Sequence, residues 1–278
     1  MKSLIIGHSP DADDAFMFYA LAGKHVRIAG YKIDHAMEDI ESLNRRAATA
    51  ELPVTAISAA VYPEVAKHYR IMSCGASVGR GYGPIMLARE PLVAGDLAGR
   101  RIAVPGPYTT AFLLLRLFLG VPFDAVHMDF DAIIDAVRSG EVDAGVIIHE
   151  GQLTWKKSGL YNVLDLGRQW TSDTELPIPL GLDVIRRDLG GDEMQRIATA
   201  LKKSIIYARE HEDDAIDYAI EFGRGIDRAT CRDFVRMYVN DDTVDLGEDG
   251  RRALEMLYGR AAKRGLLSTV PPLDIITA

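Results

Sequence analysis

From Lys2 to about Ile148 the chain repeats one grammar: a short β-rich run, a loop carrying Ser, Pro or Gly, then a segment of helical period. "SLIIGHS" leads into "DAFMFYALAG", "YKIDHAMED" into "IESLNRRAATAEL", and "VTAIS" into "AAVYPEVAKHY". After the strand-like "PIMLARE", "RRIAVPG" leads into "TAFLLLRLFLG", "AVHMDF" into "DAIIDAVRSGEVD", and the run ends on "AGVIIHE". Strands that alternate with helices predict mostly parallel sheets with crossover connections. The local stops agree: Asp13 is a candidate N-cap, Gly23 a candidate C-terminal stop, and Pro63 suits a first turn. From about Asp192 onward four successive segments carry period-3.6 apolar stripes and read as helices.

The β-rich zones fall at residues 1–88 and about 92–178. "ELPIPLGLDVIRRDLG", stiffened by Pro177 and Pro179, reads as the chain passing back to the first zone. Two crossings imply two α/β lobes with a cleft between them. The expected division is a discontinuous first lobe, 1–88 with 182–278, and a second lobe, 89–181. A length of 278 residues suits two medium domains or one large one.

The formal net charge of −8 argues against nucleic acid or an anionic membrane surface as the main partner. It leaves room for a small anionic substrate, because helix-terminal N–H groups hold a carboxylate locally. Cys74 and Cys231 are too few for a thiolate metal cage and are expected reduced. The N-terminus lacks the apolar core and cleavage site of a secretory signal, and no window approaches the ~18 apolar residues of a membrane span. A cytoplasmic location is expected.

In open α/β sheets ligands collect at the carboxyl ends of strands. Four strand ends here carry polar residues: Ser9 with Asp11 to Asp14, Ser58, Thr109-Thr110, and His149-Glu150. If both lobes face one cleft, these loops converge. "PGPYTTAF" offers unpaired amides at a helix start for an anion, although a plain capped helix explains the same residues. Ser58 divides likewise between capping the next helix and facing a ligand. The three aspartates evoke a calcium loop, but the glycine and glutamate that such a loop needs are replaced by Phe16 and Ala22. They suit a helix N-terminus, with Asp14 free to bond a substrate hydroxyl. "SVGRGYGP" fails the dinucleotide fingerprint and reads as a tight turn near the cleft, with Arg80 as its fixed cation. His149, at the end of a strand read as buried, is either a packed structural residue or a base, since imidazole titrates near neutrality.

Several of these segments are similar to the 1,4-dihydroxy-6-naphthoate synthase family of the futalosine route to menaquinone. They are "SPDADDAFMFYAL", "IESLNRRA", "GRGYGP", "RIAVPGPYTTAFLLL", "AGVIIHEGQLTW", "LPIPLGLDVIRRDL" and "YVNDDTVDLGEDGRRAL", in register to about Leu254. The resemblance implies a fold like type II periplasmic binding proteins, used as an enzyme without metal or organic cofactor. It implies cleavage of cyclic dehypoxanthinylfutalosine, a small anionic aromatic substrate, to 1,4-dihydroxy-6-naphthoate and dihydroxyacetone. It also implies His149 as proton acceptor, Thr110 and Ala111 as one binding pair, and Ala56, Ile57 and Ser58 as the other binding run.

The sequence departs from the family pattern twice. "SPDADDAF" stands for "SPCPNDTF", keeping Ser9, Pro10, Asp14 and Phe16, and Ala56-Ile57-Ser58 stands for a Lys-Leu-Ser run. With that cation missing, either Arg80 or the helix start at Thr110 is expected to take the substrate carboxylate, or the substrate differs from the family's. A same-fold chorismate dehydratase and a solute-binding protein are the competing functions. No membrane or nucleic-acid partner is expected, and a homodimer is compatible with the sequence.

Overall fold

The alternating grammar folds into two sheets in the computed structural model, which describes residues 1–278. The strands are β1 (Lys2–His8), β2 (Tyr31–Met37), β3 (Val54–Ser58), β4 (Tyr69–Met72), β5 (Ser77–Gly79) and β6 (Ile85–Ala88). They continue with β7 (Arg101–Val104), β8 (Asp124–His127), β9 (Ala144–Ile147), β10 (Tyr161–Asp165), β11 (Ile178–Arg186) and β12 (Ile275–Ile276). The first sheet has the order β12-β4-β11-β3-β1-β2, with β5 beside β11, and the second has the order β10-β6-β9-β7-β8.

The sheets are more mixed than the sequence pattern predicts. The βαβ units are parallel as expected, in the pairs β1–β2, β1–β3, β7–β8 and β7–β9. β11 runs antiparallel to β3 and β4, and β6 runs antiparallel to β9 and β10. Both β6 and β11 are preceded by a strand of the other sheet, so the rule that makes a crossover within one sheet parallel does not bind them.

The same strands correct the expected boundaries. Ile85–Ala88 belongs to the second sheet, so the outward passage precedes Ile85 and does not follow residue 88. β11 joins the first sheet from Ile178, ahead of the expected return at residue 182. A short apolar run such as "PIMLA" carries no mark of which sheet it will join. The outward passage and the second sheet's last helix meet backbone to backbone: a Cβ on Gly167 would lie 2.2 Å from the carbonyl carbon of Tyr82. The glycines of "GRGYGP" therefore serve a close chain approach.

Helix Ala12–Ala22 is buried on nearly every face, under helices Gly191–Glu210, Glu212–Ala219 and Arg228–Tyr238. That enclosure explains its weak amphipathic signal in sequence. It also lets three aspartates at its start sit in the interior. No helix of the chain is long and apolar enough to cross a membrane.

Candidate functional site

A cleft with about 770 Å³ of empty space, part of it open to solvent, lies where the strand ends of both sheets meet. Ser9, Asp11, Asp13 and Asp14 line it from the turn after β1, and Ala56, Ile57 and Ser58 from β3. Thr109, Thr110 and Ala111 enter from the loop after β7, and Ile148 and Gln152 from the turn after β9. Helix Arg228–Tyr238 contributes Phe234 and Tyr238. Three of the polar strand ends singled out in sequence thus place polar residues in one space, while the fourth contributes Ile148 and Gln152 and leaves His149 and Glu150 outside the lining.

The two open questions about capping resolve differently. Thr109 caps: its hydroxyl accepts the Phe112 N–H at 3.3 Å, while the amides of Thr110 and Ala111 find no acceptor within the protein. Helix Thr110–Phe118 therefore presents two free donors to the cavity. Ser58 does not cap. It is gripped from helix Ile40–Ala48 by Asn44, whose Nδ2 donates to Ser58 Oγ at 3.0 Å and whose Oδ1 accepts the Ser58 N–H at 2.8 Å. The Thr110 hydroxyl donates to the Leu180 carbonyl at 2.7 Å and accepts the Ala60 N–H at 3.1 Å, tying the helix start to the first sheet.

The first-lobe wall is acidic, and the cavity lining holds no lysine, arginine or histidine. Asp14 accepts the Ser9 N–H at 2.6 Å, and Ser9 Oγ donates to Asp11 at 2.6 Å. Burial, with nearby carboxylates adding to it, pushes the Asp13 and Asp14 carboxyls well above the usual range. Asp183 lies behind them on β11, directly across from Ala56, and burial pushes it up to about 8. Its Oδ2 has no partner, and it packs so closely on Gly75 that a Cβ there would lie 2.0 Å from that oxygen. Carboxyls raised in this way hold their protons more readily than free ones, which suits a wall that meets hydroxyls. No group of three or more His, Cys, Asp or Glu side chains is placed to hold a metal ion.

His149 is buried beside the cavity, between the lining residues Ile148 and Gln152. Its Nδ1 accepts the Gly151 N–H at 3.0 Å, which fixes the tautomer, and Nε2–H donates to the Phe130 carbonyl at 3.2 Å. Burial lowers its pKa, the Arg224 charge lowers it further, and Asp11 opposes both. The imidazole is therefore neutral at physiological pH and carries its basic lone pair on Nδ1.

Arg224 gave no clear signal in sequence. It sits between Gly223 and Gly225 at φ +50°, a left-handed conformation that non-glycine residues seldom adopt. Its guanidinium lies 2.6 Å from Asp11, 3.1 Å from Glu150 and 4.6 Å from the Phe130 ring centroid. It thus joins the first lobe to the His149 turn of the second. Tyr238 adds a second tie, donating to Gln152 Oε1 at 2.8 Å.

The expectation for Arg80 is corrected. It is paired in bidentate fashion with Asp242, with both bonds at 2.7 Å, and does not line the cavity. The tight "GRGYG" turn that packs against Gly167 carries its side chain away to the C-terminal helices.

Comparison with known proteins bears on the same residues. A family profile described as menaquinone biosynthesis matches residues 4–263. The chain is 40% identical over 272 residues to the 1,4-dihydroxy-6-naphthoate synthase of Thermus thermophilus, covering 98% of each chain. A crystallised protein from Archaeoglobus fulgidus superposes with a TM-score of 0.91 at 49% identity, over 95% of this chain and 98% of that one. The alkanesulfonate-binding protein SsuA of Xanthomonas axonopodis pv. citri, bound to MOPS, superposes with a TM-score of 0.74 at 14% identity, over 100% and 99% of the two chains. The last likeness shows the fold: that of periplasmic binding proteins, with two sheets flanked by helices.

Proposed function

The chain belongs to the menaquinone-biosynthesis family of 1,4-dihydroxy-6-naphthoate synthases, and on that premise we propose that it is a carbon–carbon lyase with His149 as its base. The substrate in this reading is cyclic dehypoxanthinylfutalosine, and the products are 1,4-dihydroxy-6-naphthoate and dihydroxyacetone. The observation that carries the reading is the convergence of Ser58, Thr110 and Ala111 with the His149 turn around one cavity. The carboxylate end of the substrate takes the free donors at Ser58, Thr110 and Ala111. The sugar-derived end meets the carboxyls of Asp13 and Asp14, which accept from hydroxyls and, when protonated, also donate.

His149 removes a proton from a hydroxyl of that end, the ring carbon–carbon bond breaks, and aromatisation drives release of the three-carbon fragment. Because the Gly151 amide masks Nδ1, the turn gives up that bond as the substrate seats. Apo geometry of this kind is common for a base that engages in the complex. Closure of the lobes excludes water from the step.

The test is incubation of the purified protein with cyclic dehypoxanthinylfutalosine, following 1,4-dihydroxy-6-naphthoate by absorbance and mass. Turnover is expected, and His149→Gln is expected to lower kcat by about 10²–10⁴ while leaving affinity nearly unchanged. Consumption of chorismate instead, or full activity in the variant, would overturn the reading.

A further inference from the structure

We propose that Asn44 is a positioning residue that locks Ser58 as a hydrogen-bond donor into the cavity, making that point of the cavity selective for an anionic acceptor. The inference rests on the reading that the Ser58 turn receives the substrate carboxylate, and it names the residue that gives the turn its selectivity.

The argument follows from donor and acceptor chemistry alone. The Ser58 backbone N–H can only donate, so the Asn44 atom it meets at 2.8 Å is Oδ1. The other branch of the amide is then Nδ2, which can only donate, so Ser58 Oγ accepts from it at 3.0 Å. With that lone pair occupied, the hydroxyl proton turns away from Asn44. No group of the protein accepts it, and Ser58 lines the cavity.

The neighbouring hydroxyls do not compete. Ser9 donates to Asp11, Thr109 to Gly106, Thr110 to Leu180 and Tyr238 to Gln152. Ser77 also lacks a partner, but no side chain fixes its direction and it lies partly exposed.

Asn44 itself is 0% exposed, on a helix face shared with Leu43 and Ala47. An asparagine is a poor choice for a helix interior, and burying its amide is costly unless its bonds are made. Both of its bonds go to one residue of the cavity wall. An apolar residue would pack this face without either cost, so the amide is explained by what it does to Ser58.

Asn44→Asp tests the lock, because aspartate has nearly the same shape but only accepts. One oxygen keeps the Ser58 N–H, and the other draws the hydroxyl proton out of the cavity. The probes are 2-naphthoate and its uncharged relative 2-naphthamide, measured by calorimetry, so the result does not depend on catalysis. The wild type is expected to prefer the carboxylate. A hydrogen bond to a charged group contributes about 1.5–3 kcal/mol, so N44D should weaken 2-naphthoate by roughly 10–100-fold. The loss for 2-naphthamide should be much smaller. S58A should show the same selective loss, and N44D should add little in the S58A background, because one donor is removed only once.

Should N44D fail to fold by circular dichroism, Asn44→Ser removes the grip without a buried charge. It is expected to weaken 2-naphthoate several-fold in the wild-type background and not in S58A. Equal affinity of the wild type for both probes, or additive losses in the double variant, would overturn the proposal. Selective, non-additive losses in a protein that turns over no cyclic dehypoxanthinylfutalosine would support the lock and overturn the enzymatic reading alone.

Discussion

The two turns that meet across the cavity, Ser58 after β3 and His149 after β9, are held in opposite ways. Ser58 is fixed from inside its own lobe by a fully buried amide, and its functional proton is left free. His149 has both ring nitrogens occupied by backbone groups, and its turn is held from the other lobe through Arg224 and Glu150. The first arrangement lies wholly within one lobe; in the second the imidazole's own bonds are local, and only the Arg224–Glu150 pair spans the two lobes. A binding group gains from being ready before the ligand arrives, because no ordering cost remains. A base gains from being completed by closure, because its proton transfer then proceeds without bulk water.

The largest effect on this contrast should come from Arg224→Met. The variant cuts the tie between Asp11 and Glu150 and leaves the buried Glu150 and the partly buried Asp11 without their cation. A tenfold or greater fall in kcat is expected, with the affinity for 2-naphthoate at the Ser58 turn nearly unchanged. The pH profile separates positioning from mere loss of stability. The charged groups facing His149 are Asp11, Asp131, Glu150 and Arg224, and removing the one cation favours imidazolium. The acid limb of kcat/KM, expected below the ordinary histidine value in the wild type, should therefore move to higher pH. Arg224→Lys should restore part of both. An unshifted limb would mean that closure does not depend on this pair.

The next effect belongs to the first-lobe wall. Asp183 has a folded pKa of about 8, raised by burial above its ordinary value. The native state therefore keeps its proton where the unfolded chain has released it, and stability falls as pH rises from about 4 to about 8. Asp183→Asn removes that slope. Denaturant melts should show the variant gaining on the wild type by several kcal/mol across this range, with no further change above it. A gain independent of pH would mean that Asp183 is ionised in the native state and held by a partner.

How much of this was legible in the sequence depends on whether the cause was local. The strands, the helix starts and the approach of the strand-end loops to one cavity follow from periodicity and strand-end chemistry near each residue. Asn44 was within reach, since a polar residue on the Leu43–Ala47 face of a helix is a buried amide in need of a partner. Arg224 was not, because its partners Asp11 and Glu150 are distant in sequence and its backbone is unfavourable by local rules. Ser58 and Thr109 show the same limit: both are polar residues before helical segments, and the distant Asn44 makes Ser58 a cavity donor while Thr109 stays a local cap. The antiparallel course of β6 and β11 was hidden for a related reason, since direction is set by the passage and not by the strand's own residues.

Arg80 carries the smallest expected effect and the sharpest bearing on how the carboxylate is held. Its guanidinium is half exposed at 52%, and its bond to Asp242 should contribute at most about 1 kcal/mol once solvent screening is counted. Arg80→Met should thus lower the melting temperature slightly and leave KM unchanged, measured alongside S58A, whose KM should rise by tenfold or more. An unchanged KM would leave the carboxylate to uncharged donors: the Ser58 hydroxyl and the amides of Thr110 and Ala111. That outcome is physically sufficient, because a helix N-terminus and oriented hydroxyls hold anions without a formal counter-charge. A tenfold rise would instead require the Asp242 pair to break when substrate binds. The carboxylate site would then need an ion pair of the same lobe to be rearranged first, and the contrast between a turn ready before the ligand arrives and the His149 turn would disappear.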